Sequence, residues 1–187
     1  MSSSPEITVP VTKPATEWVN GRALQKVSPQ EIHARVQSRM VAALVAWVDR
    51  THSGRVGTEW EFRVTPPHEP TRPLVPDVAF LSYHRLGYDE DEAAQIPYMA
   101  PDVAIEIVSP HDQTTDISAK IGVYLASGTS LVLLADPKDR TFTAYDGAGP
   151  AKFSSDMTFE HPALPAFAVR VGSVFEKPKP PPPEAPG

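Results

Sequence analysis

Apolar residues recur with the spacing of an α-helix in two stretches of the chain. The first begins at Ser28-Pro29-Gln30-Glu31, which combines a capping box with proline at the first helical position. We therefore predict a helix from there to about Asp49. Its apolar face is formed by Ile32, Val36, Met40, Ala43, Leu44 and Trp47. A second helix is predicted over Asp116 to Ser127, with Gly128 as its stop.

The other apolar runs predict strands. In TEWEFRV, Trp60, Phe62 and Val64 alternate with polar residues, which is typical of a strand with one buried face. Further strands are predicted at 21–26, 76–82, 102–108, 130–135, 140–145 and within 166–171, and the acidic segment 89–92 is predicted to be solvated surface. The order of elements predicts an α/β (α+β) fold with one mixed β-sheet flanked by helices.

Composition indicates one compact domain. A chain of 187 residues with 41% hydrophobic positions can bury one substantial core. The sequence KPKPPPPEAPG at 177–187 cannot form a hydrogen-bonded ladder, so we expect a proline-rich tail that is disordered or polyproline II. Residues 1–15 are poor in core material and are expected to be flexible. The folded domain is then predicted to span 16–176.

Cysteine content and charge narrow the class of protein. The chain has no cysteine, which excludes disulfides and thiolate metal sites. Its start lacks the features of a signal peptide, and no stretch approaches the roughly 20 apolar residues of a membrane span, so we expect a soluble, cytoplasmic protein. The formal net charge of -6 argues against broad non-specific binding of nucleic acid, although a local basic surface is compatible with it.

Common catalytic signatures are absent from the sequence. It contains no GxSxG, GxxxxGK[ST], GxGxxG or HExxH motif, and no two of its six histidines are four residues apart. The remaining candidates for a functional site are carboxylates on the predicted strands. The segment PDVAIEIVSP (101–110) reads as a buried strand in which Glu106 is the only carboxylate of the apolar run. An ionised carboxylate in that setting needs a partner or a cation.

Asp77 opens the preceding strand, PDVAFLS. If the two strands pair, two carboxylates converge, which suits Mg²⁺ or Mn²⁺ held by carboxylates and water. Because two close carboxylates cannot both ionise cheaply, we expect a raised pKa for at least one of them. On the following helix, Lys120 and Tyr124 share a face, so Lys120 could bring an ammonium beside the metal.

Structural roles are alternatives for the same residues. Glu106 would then form a salt bridge with Lys120, and Asp77 would cap a turn. Lys120 would be a surface lysine paired with Asp116. His33 would be a packed histidine, and Tyr124 would be a core aromatic residue. Ser109 would cap a turn or hold Glu106.

Several segments carry a resemblance to a known family. PDVAFLS, PDVAIEIVSP, DxxxKxxxY, LVLLADP and LPAFAVRVGSVF together resemble the Uma-type restriction endonucleases, a branch of the PD-(D/E)XK nuclease superfamily. The opening VNGRALQKVSPQEIHARV matches the family's N-terminal strand, turn and helix, and the resemblance covers about residues 17–176. The chain departs from the family after Gly128, where TSLVL stands in place of the usual GVxEYW.

The resemblance implies a nuclease-like αβββαβ core and metal-dependent hydrolysis of phosphodiester bonds in DNA. It implies Asp77, Glu106 and the carbonyl of Ile107 as ligands of Mg²⁺ or Mn²⁺. Lys120 is the implied catalytic lysine, since Val108 occupies the strand position where the superfamily has its lysine. The residues expected around these groups are His33, Ser109 and Tyr124. DNA is the expected partner, while a homodimer and a catalytically inactive interaction module stay open.

Overall fold

The computed structural model of the chain describes residues 5–28 and 30–178. The helices of that part are α1 (Glu31–Thr51), α2 (Asp91–Gln95), α3 (Thr114–Ala126) and α4 (Val171–Phe175). The strands are β1 (Thr16–Val19), β2 (Arg22–Gln25), β3 (Gly54–Thr58), β4 (Phe62–Val64), β5 (Arg72–Leu74), β6 (Val78–Ser82), β7 (Val103–Ile107), β8 (Leu131–Asp136), β9 (Thr141–Asp146), β10 (Gly149–Phe153), β11 (Thr158–Phe159) and β12 (Val169–Arg170). Most of the predicted proline-rich tail, from residue 179 onward, lies outside the described residues.

A mixed sheet of six strands forms the centre of the molecule, in the order β10-β9-β8-β7-β6-β3. β7 and β8 are parallel, and the other neighbours in the sheet are antiparallel. Parallel neighbours need a long crossover, which α3 supplies between β7 and β8. Along the chain, α1, β3, β6, β7, α3 and β8 follow the αβββαβ order that the resemblance implies. The predicted mixed sheet flanked by helices is confirmed.

Each face of this sheet is covered by one of the longer helices. On one face, α1 buries Met40 and Trp47 in the same core cluster as Ile105 of β7. On the other face, α3 buries Tyr124 in a cluster with Ala104. Since side chains alternate between the two faces along a strand, Glu106 lies on the same face as Ala104, under α3.

A hairpin that the hydrophobic pattern missed precedes α1. β1 and β2 are antiparallel and are joined by Asn20 and Gly21, whose φ angles are 51° and 74°. A tight two-residue turn of this kind needs positive φ at both positions, which asparagine and glycine adopt most readily. The predicted strand at 21–26 corresponds to β2, whereas β1 was not predicted. The hairpin carries Glu17 and Lys26 toward the sheet.

The strand predicted for TEWEFRV is wrong as a single element. β3 ends at Thr58, and Glu59 has a left-handed φ of 48°, which breaks the extended chain. β4 then pairs with β5 in a separate sheet of two strands. The alternation of apolar residues therefore reports the packing of β4 rather than one long strand.

The predicted start of the first helix is also wrong. α1 begins at Glu31, and Gln30 is its N-cap residue without a capping hydrogen bond from the side chain. The residues just before α1 still belong to the hairpin. The backbone N–H of Lys26 donates to the carbonyl of Ala15 at 2.9 Å, which extends the pairing of β1 and β2 by one residue pair. Pro29, the predicted first helical residue, lies outside the described residues.

The remaining predicted elements agree with the structure more closely. The strands at 76–82, 102–108, 130–135 and 140–145 correspond to β6, β7, β8 and β9. α3 ends just before Gly128, whose φ of 96° is left-handed. The acidic segment is exposed as predicted, although α2 begins within it at Asp91. Within the described ranges, no helix has both the length and the apolar character needed to cross a membrane.

Candidate active site

Asp77 and Glu106 lie next to each other on the face of the sheet that α3 covers. Val78 pairs with Ile105 in the antiparallel ladder of β6 and β7, and this register places Asp77 opposite Glu106. Both residues line a cavity of about 570 Å³ at this end of the two strands. The two strands are therefore neighbours, and the two acids share one face, as a common metal site requires.

The carboxylate of Asp77 is almost fully buried and has three polar partners. Its Oδ2 accepts a hydrogen bond from the backbone N–H of Ile107 at 2.7 Å and lies 3.2 Å from Nε2 of His33. Its Oδ1 lies 2.6 Å from Nζ of Lys26. Burial alone would raise the pKa of Asp77, but the charge of Lys26 and the bond with His33 outweigh it and hold that pKa well below the usual range. Asp77 is thus kept ionised at the cavity wall.

Lys26 is a site residue that the sequence analysis missed. Its Nζ lies 3.0 Å from the carbonyl oxygen of Val75 and 3.0 Å from Oε2 of Glu59, in addition to its contact with Asp77. Burial would lower the pKa of this ammonium, but Asp77 and the surrounding carboxylates raise it. Gln37 completes the arrangement by donating to the Asp77 carbonyl at 2.8 Å and to Glu59 at 3.2 Å.

Lys120 forms the second ion-pair centre of the cavity. Its Nζ lies 2.8 Å from Oε1 of Glu106 and 3.0 Å from both carboxylate oxygens of Glu17. Glu17 also accepts a hydrogen bond from the backbone N–H of Val75 at 2.6 Å. Because the carbonyl oxygen of Val75 contacts Lys26, Val75 links the two lysine centres. The predicted projection of Lys120 toward the acids is observed. Lys120 does not pair with Asp116. That carboxylate instead lies 2.6 Å from the guanidinium of Arg22 in the hairpin.

Burial sets the protonation of Glu106. It raises the pKa of this carboxyl to about 7, with a further upward contribution from Asp77 and partial opposition from Lys120. The expectation that one of the two neighbouring acids has a raised pKa agrees with this value. Tyr124 donates its hydroxyl to Oε1 of Glu106 at 3.2 Å, and burial followed by the charge of Glu106 raises the pKa of that phenol well above its usual range.

The residues predicted around the acids differ in what they contact. His33 faces Asp77 and Tyr124 faces Glu106, as described above. Burial would lower the pKa of His33, but the hydrogen bond and charge of Asp77 raise it. Ser109 lines the cavity, but its backbone N–H donates to Asp112 at 2.8 Å, and its hydroxyl bonds no side chain or backbone group in the described part. Ser109 therefore takes part in the turn after β7 and does not hold Glu106.

The charges of the cavity determine whether a divalent cation fits. Four carboxylates in the cavity pair with only two lysine ammoniums, the sets being Glu17, Glu59, Asp77 and Glu106 against Lys26 and Lys120. Among the described residues, no three side chains of the His, Asp and Glu types are arranged to hold a metal ion. Mg²⁺ commonly keeps several waters and binds protein through one or two carboxylates, so Asp77 and Glu106 fit it if Asp77 exchanges the ammonium of Lys26 for the cation.

Residues 8–171 match the family Uma2, described as "Putative restriction endonuclease". The chain belongs to this family. The match spans the hairpin, the central sheet and all the site residues described above. No curated protein matches the chain.

A solved structure supports the same assignment. The chain is similar to a protein of Anabaena variabilis ATCC 29413 whose crystal structure is described as that of "a putative nuclease belonging to DUF820". The two are 27% identical, with a TM-score of 0.79, and the match covers 89% of this chain and 93% of the other. Both comparisons place this Uma2 chain among nuclease-like proteins, and the predicted nuclease-like fold class is confirmed.

Proposed function

We propose that the chain is a metal-dependent endonuclease that hydrolyses phosphodiester bonds in DNA. The observation that carries this proposal is the position of Asp77 opposite Glu106, on one face of the sheet and in one open cavity. Asp77, Glu106 and the carbonyl oxygen of Ile107 would hold Mg²⁺ or Mn²⁺. When bound, the cation would stabilise negative charge on the phosphate and favour attack by water.

Lys120 would hold the attacking water. An ammonium carries three N–H donors, and three carboxylate oxygens lie within 3.0 Å of this one, two from Glu17 and one from Glu106. A donor would become available to a water when Glu106 binds the cation. The hydroxyl of Tyr124 and the carboxylate of Glu17 would keep Glu106 and Lys120 in place during the reaction. His33 and Lys26 would do the same for Asp77 before the cation enters.

The closing test is a cleavage assay with plasmid and linear duplex DNA in the presence of Mg²⁺ or Mn²⁺. Glu106→Gln keeps the shape of the side chain and removes its charge, so we expect activity to fall by at least about 100-fold. Glu92→Gln makes the same chemical change at an exposed acid of α2 and should leave activity unchanged. Equal activity of the wild-type protein and Glu106→Gln would contradict the proposal.

A second function is favoured by one specific observation. Lys26 and Lys120 already pair with the four cavity carboxylates, which is also how a nuclease fold without catalysis would satisfy them. Such a protein would act as an interaction module for nucleic acid or protein. Absence of cleavage with either metal, together with retained DNA binding, would favour this function over the first.

A further inference from the structure

A second cavity, of about 420 Å³, lies beside the first turns of α1. At 3.6 residues per turn, Arg35 projects about 200° around the helix from His33, which faces Asp77. This cavity therefore lies on a different side of α1 from the site of Asp77 and Glu106. We name it the basic cavity, and it is lined by Ile32, Arg35, Pro137, Arg140, Phe175, Glu176 and Lys177.

Arg35 is the most informative residue of the basic cavity. Its side chain is only 9% exposed. Two of its guanidinium nitrogens, Nε and Nη1, are buried and form no hydrogen bond with any described residue. Nε lies 3.2 Å from a carboxylate oxygen of Glu31, but that acid is 73% exposed and its oxygen does not meet the hydrogen-bond geometry. A buried guanidinium with unsatisfied donors is costly unless an anion or water completes it.

Two further cationic side chains line the basic cavity. Arg140, immediately before β9, and Lys177, just after α4, are both exposed and line the cavity. Arg140 has one long contact, 3.4 Å from Nη2 to the carbonyl oxygen of Gly172. Glu176 is the acidic residue of the lining, so positive charge predominates there. This is a local basic surface on a chain whose net charge is -6.

The basic cavity opens at the same end of the sheet as the candidate active site. Ile107 of β7 pairs with Ala135 of β8, and Pro137 follows directly after β8. His33 and Gln37 of α1 line the candidate active site, whereas Ile32 and Arg35 of the same helix line the basic cavity, so the N-terminal part of α1 borders both cavities. Each strand of duplex DNA carries a phosphate about every 3.4 Å along the axis, so the two cavities can face the same backbone a few nucleotides apart.

We propose that the basic cavity is a phosphate-binding subsite for the DNA backbone, formed by Arg35, Arg140 and Lys177. The proposal rests on the proposed endonuclease function and adds how the substrate is held. The candidate active site has an excess of carboxylates and therefore repels a polyanion until a cation is bound. A separate basic subsite supplies the attraction that positions the backbone. The guanidinium of Arg35 suits this role because its planar fork matches phosphate oxygens.

The test measures binding of a fluorescent 20- to 30-base-pair duplex probe by anisotropy, in EDTA, over a series of KCl concentrations. Arg140→Gln and Lys177→Gln each remove one exposed charge, so folding should be retained. We expect each to weaken binding at least about fivefold and to reduce the salt slope by about 1. The matched control is Arg50→Gln, which removes one exposed charge 15 residues from Arg35 on α1, about 22 Å away.

Three results would overturn the subsite: no DNA binding in EDTA, no change in Arg140→Gln and Lys177→Gln, or an equal loss in Arg50→Gln. The last would show that only net charge matters. Metal-dependent cleavage can still be present in each case, so the proposed function is judged separately by the assay with Glu106→Gln. Conversely, selective loss of binding in a protein that does not cleave DNA would support the subsite alone.

Arg35 is tested by a variant that keeps its charge. Arg35→Lys retains the positive charge but loses the planar fork, so we expect weaker binding than wild type with an unchanged circular dichroism spectrum. Binding equal to wild type in Arg35→Lys, together with the expected losses in Arg140→Gln and Lys177→Gln, would overturn the role of Arg35. Thermal unfolding of the variant separates a local effect from loss of the fold.

Discussion

The ammonium of Lys26 lies 2.6 Å from Oδ1 of Asp77, and both residues line the cavity of the candidate active site. The carbonyl oxygen of Val75 and a carboxylate oxygen of Glu59, each 3.0 Å away, complete its surroundings. In the proposed metal site, a cation bound to Asp77 would have to replace this ammonium, which three oxygens hold. The protein thus carries its own counter-ion for this carboxylate.

Replacement of Lys26 should therefore strengthen metal binding. In Lys26→Met, Asp77 no longer has to exchange an ion pair for the metal, so we expect the affinity for Mn²⁺ to rise roughly tenfold, or about 1.4 kcal/mol. Isothermal titration calorimetry with the metal alone measures this. Lys13→Met is the control, because Lys13 also lines the cavity but has no ion pair with Asp77. A weaker affinity in Lys26→Met would show that Lys26 assists the metal instead of competing with it.

Loss of Lys120 should cost both stability and activity. Lys120→Met leaves Glu17 and Glu106 without their shared cation, and breaking a buried ion pair by removing one partner costs about 3–5 kcal/mol. We expect a loss of that order in the free energy of unfolding in urea, and loss of most cleavage. Lys152→Met, at an exposed position of β10, should change neither quantity.

A second substitution tests the cause of the Lys120 effect. Glu17→Gln removes one of the two carboxylates that lose their cation, so the double variant Glu17→Gln/Lys120→Met should be more stable than Lys120→Met alone. Equal stability of the single and double variants would show that Glu17 is not coupled to Lys120. Lys120→Arg keeps a cation at the position and should retain more stability than Lys120→Met.

The central strands and the two acids could be predicted because their sequence signals are local. β6 and β7 are continuous apolar runs, and Asp77 and Glu106 stand out against them. The pairing of these strands was a condition of the predicted metal site, and the order of the sheet meets it. Lys120 could be predicted for the same reason, since its helix directly follows the strand of Glu106.

Glu17, Lys26 and Glu59 could not be predicted from periodicity, because each is brought to the site by a local break in regular structure. Glu17 and Lys26 come from the hairpin, whose signal was the Asn-Gly pair at 20–21 and not an alternation of apolar residues. Glu59 reaches Lys26 from a residue with left-handed φ. β3 and β10 were missed because they contain Gly54 and Pro150, which weaken strand patterns.

The raised pKa of Glu106 should appear in the pH dependence of stability without metal. The pKa is about 7 in the folded protein, against an ordinary value of 4.5 in the unfolded chain. Between these values the folded state holds the proton that the unfolded state has released. The contribution of Glu106 to stability is therefore fully present below about pH 4.5 and is lost as the pH rises through about 7.

Glu106→Gln removes this titration, since glutamine stays neutral at every pH. We expect the free energy of unfolding of wild type to fall, relative to that of Glu106→Gln, as the pH rises from about 5 to about 8 in EDTA. Denaturant unfolding of both proteins at each pH measures the difference, and groups such as His33 that titrate in both proteins largely cancel. Glu92→Gln should run parallel to wild type, because its carboxyl is exposed. A constant difference between wild type and Glu106→Gln over this range would show that Glu106 is ionised throughout, with Lys120 compensating its burial in full.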